Sequence, residues 1–233
     1  MTSGDHAAAV EPREDQPLLG QPGEVVQNIY RNFLSGTALV AQVGVWVLTA
    51  VVWTAIFSHD LIFPFSPHPL LNSAALLLQV QAILVLQPTA TPQQKTLGTR
   101  VHFALLTVST LAFIAAFVFI EVNKGDHPRL TSPHGILGLI TYIIIVLQAL
   151  VGIAQYFLPV AIFGSVENGK KVYKYHRISG YVLLVLELAT ISAATQTTYN
   201  KNTLGIKLWV VLVTAVLVIL GVGARIRKHK LGF

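Results

Sequence analysis

The sequence contains no cysteine, and charged residues make up only 11% of its 233 residues. Without cysteine the chain cannot form a disulfide, a zinc–thiolate site, an iron–sulfur cluster or a cysteine nucleophile. Soluble domains usually carry about 25% charged residues, so the low charge argues against an ordinary soluble domain. A net charge of +6 would suggest a nucleic-acid partner only if the cations formed one continuous face. They lie instead in short loops between apolar runs, which is typical of a membrane protein, and we predict no nucleic-acid partner.

Hydrophobic residues make up 53% of the chain and form six long runs. A helix needs about 20 mostly apolar residues to cross a bilayer core of roughly 30 Å. Membrane β-strands are shorter and alternate in polarity, which these runs do not. We therefore predict an all-α membrane protein with six transmembrane helices, embedded in a lipid bilayer. The predicted spans are 37–57, 69–87, 101–120, 135–157, 178–195 and 206–224.

The two ends of the chain differ in composition from the spans. Residues 1–33 are acidic and rich in Pro and Gly, which predicts a disordered tail. The predicted transmembrane domain follows over 34–225, and a basic tail occupies 226–233. Twelve of the sixteen Lys and Arg residues fall on one side of the predicted topology. The positive-inside rule makes that side cytosolic and predicts that both termini are cytosolic. The sequence fits an endomembrane or plasma-membrane protein.

Four of the eight histidines stand at the entrances of the second to fifth predicted spans: His68, His102, His134 and His176. Ionisable groups inside a bilayer are costly, so their presence suggests function. Consecutive spans run in opposite directions, and the entrances therefore alternate between the membrane faces. This predicts one pair, His68 with His134, on the non-cytosolic side and another, His102 with His176, on the cytosolic side. We expect the remaining histidines to be solvated: His6, His59, His127 and His229.

A facing pair of imidazoles suits a haem better than zinc. Zinc sites normally take three or four protein ligands. A haem iron has four nitrogens from its macrocycle and lacks only two axial ligands. We therefore predict two haem groups in a four-helix bundle made by the second to fifth spans. Gly138 and Gly180, each four residues after a ligand histidine, would leave room for the macrocycle. The candidates to hold the second ring nitrogens are Asn72, Thr99, Gln148 and Ser179.

Cations surround the cytosolic histidines in the sequence. Arg100 and Lys174 each lie two residues before a predicted ligand, and Lys95 and Arg177 are near. They would attract an anionic reductant, which makes these four the predicted substrate residues. An equally weighted alternative is that they fix topology and bind anionic lipid.

A second class of function uses the same histidines differently. In a proton-coupled or metal-ion transporter they would form a relay or transient sites, with polar residues at the midplane of several helices. Some polar residues do lie within the spans: Gln42, Gln79, Gln81, Gln148 and Glu187. Glu187 is eleven residues past His176, or about 16 Å deeper in a helix.

Four short motifs resemble those of the cytochrome b561 family in its compact form. They are the His-Pro at His68, the basic Arg100 two residues before His102, the Ser-Pro-His-Gly around His134, and the His-Arg-x-x-Gly-Tyr from His176 to Tyr181. The resemblance implies a six-helix protein, often a homodimer, with two b haems near opposite faces. It also implies electron transfer from cytosolic ascorbate to monodehydroascorbate or ferric chelates on the other side.

Overall fold

The computed structural model describes residues 29–231, without the side chains of 229 and 230. Within this part of the chain all regular structure is helical. The helices are α1 Ala38–Phe57, α2 Pro67–Leu86, α3 Pro92–Lys124, α4 Pro133–Phe157, α5 Pro159–Phe163, α6 Val166–Ala194 and α7 Leu208–Gly223. Short helical turns occupy Ile29–Phe33, Asn200–Leu204 and Lys228–Leu231. The prediction of an all-α protein is confirmed.

Five helices are long and apolar enough to cross a membrane: α1, α2, α3, α4 and α6. The protein is therefore an integral, multi-pass membrane protein. The sixth apolar helix, α7, has 16 residues, about 24 Å, and is shorter than a bilayer core. α7 begins at Leu208 and not at 206 as predicted, because the Asn200 side chain bonds both the N–H and the carbonyl of Ile206. The sixth crossing stays a prediction.

Two helices begin well before the spans that hydropathy predicts. α3 begins at Pro92 rather than 101, because Thr91 and Gln94 form a reciprocal capping box. α6 begins at Val166 rather than 178, where the Ser165 hydroxyl accepts the N–H of Asn168. Hydropathy detects only the apolar part of a helix, whereas the caps set where it begins. The two helices therefore extend beyond the apolar core by several polar turns.

The helices pack in antiparallel pairs: α2 along α3, α4 along α6 and α1 along α7. The α1–α7 pair lies beside α2, outside the four helices that carry the histidines. It is close because small residues meet there: a Cβ on Gly44 would lie 2.7 Å from the Thr214 carbonyl oxygen. The outward faces of α3 and α4 are apolar, with Leu111 and Leu147 more than half exposed, as expected of a surface facing lipid.

Both described ends of the chain lie at one end of the bundle. The Arg225 guanidinium, after α7, donates to the carbonyls of Asn32 and Ser35, before α1. Most of the predicted N-terminal tail, including Arg13 and His6, lies outside the described residues. Its last five residues form a helical turn in which Ile29 and Asn32 are buried, and Asn32 donates to the Val85 carbonyl. Helical structure is thus present before the predicted boundary at 34. The side chains of His229 and Lys230 also lie outside the described part.

Candidate functional site

The structure brings the four histidines together as the two predicted pairs. His68 and His134, from α2 and α4, have ring centres 6.2 Å apart and ring planes 76° apart. His102 and His176, from α3 and α6, lie at the other end and are close enough to interact electrostatically. We refer to them as the α2–α4 pair and the α3–α6 pair. Their role as haem ligands stays a prediction.

Both imidazoles of the α2–α4 pair are held by backbone carbonyls of neighbouring helices. His68 Nδ1 lies 3.1 Å from the Ala116 oxygen of α3, and His134 Nδ1 lies 3.0 Å from the Thr190 oxygen of α6. A carbonyl oxygen only accepts, so each Nδ1 carries the proton. The lone pair of each imidazole is then on Nε2, the nitrogen that remains available to a metal.

Two side chains, linked to each other by a hydrogen bond, support His68. The Asn72 amide donates to the His68 carbonyl at 2.7 Å, and the Tyr142 hydroxyl of α4 donates to Asn72 Oδ1 at 2.9 Å. The Asn72 amide is also 3.2 Å from His68 Nδ1. Because that nitrogen donates to Ala116, this contact cannot be a second bond at the same time. Asn72, one of the predicted partners, therefore fixes the backbone of His68 more than its ring.

The α3–α6 pair is placed differently from the prediction. His68 and His134 are the second residues of their helices, as expected of helix entrances. His102 and His176 instead lie ten residues after the first residues of α3 and α6, about 15 Å along each helix. The entrance assignment is wrong for these two, because the capped polar turns before them are helical. Their depth relative to the apolar part of each helix is unchanged.

The two imidazoles of this pair are not held alike. His102 Nδ1 lies 2.8 Å from the Ala82 oxygen of α2, the same arrangement as in the α2–α4 pair. His176 Nδ1 is buried and, within the described residues, has no hydrogen-bond partner. Two predicted partners contact the His176 main chain instead: Gln148 Nε2 lies 2.6 Å and Ser179 Oγ 3.2 Å from its carbonyl oxygen.

Glycine gives room at this pair, at a position that the sequence reasoning missed. A Cβ added to Gly152 of α4 would lie 3.1 Å from His176 Cε1, so the imidazole rests against the α4 backbone. At the predicted Gly180, a Cβ would lie 3.0 Å from the Gln148 amide nitrogen, so this glycine faces a side chain and not an open space. At the predicted Gly138, its nearest neighbour would be a Thr190 methyl 3.9 Å away, which leaves space. The only signal in the sequence that could have indicated Gly152 as part of the site is its position four residues after Gln148.

Comparison with protein families identifies the bundle. Residues 67–203 match the family model of eukaryotic cytochrome b561, which is more than half of the chain. The match begins at the first residue of α2 and includes all four histidines. The chain belongs to the cytochrome b561 family. Comparison with individual curated proteins finds no match. Membership makes the protein a haem-binding, transmembrane oxidoreductase that transfers electrons.

A buried carboxyl lies between the two histidine pairs of this cytochrome b561. Gln79 of α2 donates to Glu187 Oε2 of α6 at 2.6 Å, and both side chains are buried. Gln79 is three residues before Ala82, which holds His102, and Glu187 is three before Thr190, which holds His134. Glu187 Oε1 has no partner among the described residues. This interhelical bond joins α2 to α6 midway along the cytochrome.

The four predicted substrate cations lie within the first twelve residues of α3 and α6, at the end that holds the α3–α6 pair. Arg100 and Lys174 are exposed, whereas Lys95 and Arg177 are half-buried. The Lys174 ammonium lies 5.0 Å from the Tyr175 ring centre, within cation–π range. Among the described residues, Lys95, Arg100 and Lys174 form no ion pair with a carboxylate. Their role in this cytochrome b561 stays a prediction.

Proposed function

We propose that the protein carries electrons from cytosolic ascorbate, through two b haems, to monodehydroascorbate or a ferric chelate on the opposite side of the membrane. In this proposal His68 and His134 would hold one haem, and His102 and His176 would hold the other. The single observation that carries it is the arrangement of four half-buried imidazoles as one pair at each end of a membrane bundle. When bound, each haem would supply an iron that accepts and gives up one electron.

The donor set fits haem. The His68 and His134 ring centres are 6.2 Å apart, a spacing that would leave room for one metal ion between their nitrogens. Within residues 29–231, no three His, Cys, Asp or Glu side chains converge as a metal site of the zinc type needs. Three of the four Nδ1 atoms donate to carbonyls, which fixes the tautomer that presents Nε2.

The charge distribution supports the orientation. Of the fourteen Lys and Arg residues whose side chains are described, ten belong to the end that holds the α3–α6 pair in this topology. The positive-inside rule makes this end cytosolic. Electrons would then enter near His102 and His176 and leave near His68 and His134. In a membrane that is negative inside, moving one electron outward across 100 mV is favoured by about 2.3 kcal/mol.

Ascorbate is an anion at neutral pH, and the cations near the α3–α6 pair would attract it. Arg100 and Lys174 are exposed and face no described carboxylate within ion-pair distance. Their fields raise the local concentration of an anionic donor, and salt should weaken this effect. Lys95 and Arg177 would extend the same positive surface. The family's frequent homodimer would pair two such chains in one bilayer.

The experiment uses sealed proteoliposomes that contain the purified cytochrome. Ascorbate is added on one side, a ferric chelate with a ferrous indicator is trapped on the other, and the rate of iron reduction is measured. We expect transfer with wild type and strong loss with His176→Leu. His59→Leu, at an exposed histidine, is the matched control and should retain wild-type rates. Ascorbate-independent rates, or equal rates for both variants, would contradict the proposal. Metal or proton uptake without spectral change would favour a transporter.

A further inference from the structure

A cavity at the cytosolic end of the α1–α7 pair has no role in the proposed electron path. It measures about 410 Å³ and is open to one side. Its lining includes Ser35 and Thr37 before α1, Pro88 after α2, and Arg225 and Arg227 after α7. All of these residues lie just beyond the ends of apolar helices, which is the depth of lipid headgroups.

The two arginines give the cavity an uncompensated positive charge. Neither forms an ion pair with a described carboxylate, since the three pairs in residues 29–231 involve Glu121 and Glu167. Arg225 is half-buried, and its terminal nitrogens are used on backbone carbonyls, while its Nε is buried without a described partner. Burial lowers the pKa of Arg225, and the nearby charge of Arg227 lowers it further. An anion between the two guanidinium groups would relieve that repulsion.

Arg227 has donors to offer such an anion. A guanidinium has five N–H groups, and among the described residues only one bond from Arg227 is seen, to the Pro88 carbonyl oxygen at 3.3 Å. Its planar fork matches phosphate geometry. Apolar surface continues from the cavity toward the membrane core, because Leu39 of α1 and Leu220 of α7 are 51% and 59% exposed. A phosphate in the cavity could therefore carry acyl chains that lie on this surface.

We propose that this cavity binds the phosphate of an anionic phospholipid, with Arg227 as the direct ligand and Arg225 as the second positive charge. Bound lipid would join the ends of α1, α2 and α7. The proposal is independent of the donor and acceptor, since the cavity lies outside the histidine-bearing bundle.

The test measures thermal unfolding of the purified, full-length holoprotein in a neutral detergent. Dioctanoyl phosphatidylglycerol is compared with dioctanoyl phosphatidylcholine and with inorganic phosphate at the same concentrations. Binding to the folded state raises the unfolding temperature. We expect a rise of several degrees with phosphatidylglycerol and little change with the other two. Arg227→Gln should lose most of this rise. Lys228→Gln removes the same charge from an exposed neighbour and should retain it.

Several outcomes would overturn the proposal. An equal rise in Arg227→Gln and wild type would mean that Arg227 is not the ligand. An equal rise with inorganic phosphate would make the source a free anion, and an equal rise with phosphatidylcholine would make binding apolar. No rise in any protein would contradict phospholipid binding at this cavity. If Arg227→Gln does not fold, the wild-type protein is tested at increasing sodium chloride concentrations. The rise in unfolding temperature with phosphatidylglycerol should then shrink, and an unchanged rise would contradict a charged site.

Discussion

In the α2–α4 pair both imidazoles donate Nδ1–H to a carbonyl of a neighbouring helix, whereas in the α3–α6 pair only His102 does. The first pair is further supported by Asn72 and Tyr142. At the second, His176 is positioned by its own backbone and by contact with Gly152. The comparison indicates that the same bundle builds one tightly oriented imidazole pair and one with a less constrained member.

Under the proposed assignment of one haem to each pair, the largest expected effect comes from removing one histidine of either pair. His134→Leu should remove the spectral component of the α2–α4 pair, and His176→Leu that of the α3–α6 pair. Outer-shell partners of metal ligands are worth roughly 10–100-fold in metal affinity, and loss of a ligand should exceed that. Reduced-minus-oxidised absorption spectra of the purified variants measure this. Loss of both components, or of neither, from a single variant would break the assignment of two separate pairs.

The second prediction needs no mutation. Because His176 lacks the carbonyl bond that orients the other three imidazoles, the haem proposed for the α3–α6 pair should be released first. We expect the affinity for haem to differ by about 10-fold between the two pairs, which is the lower end of the effect of outer-shell partners on metal affinity. The two components are followed separately while the wild-type protein is titrated with urea, using the single-histidine variants to assign them. Simultaneous loss, or earlier loss of the α2–α4 component, would show that the missing bond has no consequence.

The sequence was sufficient to predict which histidines lie near each other. Hydropathy gave the helices, and the alternation of direction along the chain then determined which histidines share an end. The beginnings of α3 and α6 were missed because Thr91 and Ser165 cap polar turns that hydropathy does not register. The length of α7 was overestimated because Asn200 bonds both the N–H and the carbonyl of Ile206, which keeps Ile206 outside the helix.

The second-nitrogen partners could not be predicted from residue types. Polar side chains were the expected partners of the second ring nitrogens, whereas the atoms that hold the rings are the backbone oxygens of Ala116, Ala82 and Thr190. Every residue has such an oxygen, so only the packing of the helices selects one. Gly152 was missed for the same reason, since it faces a histidine on another helix and shares no local spacing with it.

A smaller effect is expected from Gly152→Ala, which acts on the α3–α6 pair alone. The new Cβ would lie 3.1 Å from His176 Cε1 and would push the imidazole away from α4. Overpacking typically costs about 1–3 kcal/mol, and because His176 would have to shift by only a few tenths of an ångström, we expect the low end, a fall in haem retention between about 5-fold and 10-fold. Haem retention of each component is measured by urea titration. Gly223→Ala is the control, because its Cβ would meet nothing within 4 Å. An equal loss at both pairs would indicate general destabilisation and not displacement of His176.

The smallest effect is expected from Tyr142→Phe, which acts on the other pair. The substitution removes the hydroxyl that donates to Asn72 Oδ1 at 2.9 Å and keeps the ring that packs against Phe117. One hydrogen bond contributes about 1 kcal/mol net, so retention at the α2–α4 pair should fall by about 5-fold. Thr107→Val removes a hydroxyl that bonds only within exposed α3 and should leave both components unchanged. If Tyr142→Phe instead weakened the α3–α6 component, the two pairs would be coupled through the bundle, and their different constraints would not act locally.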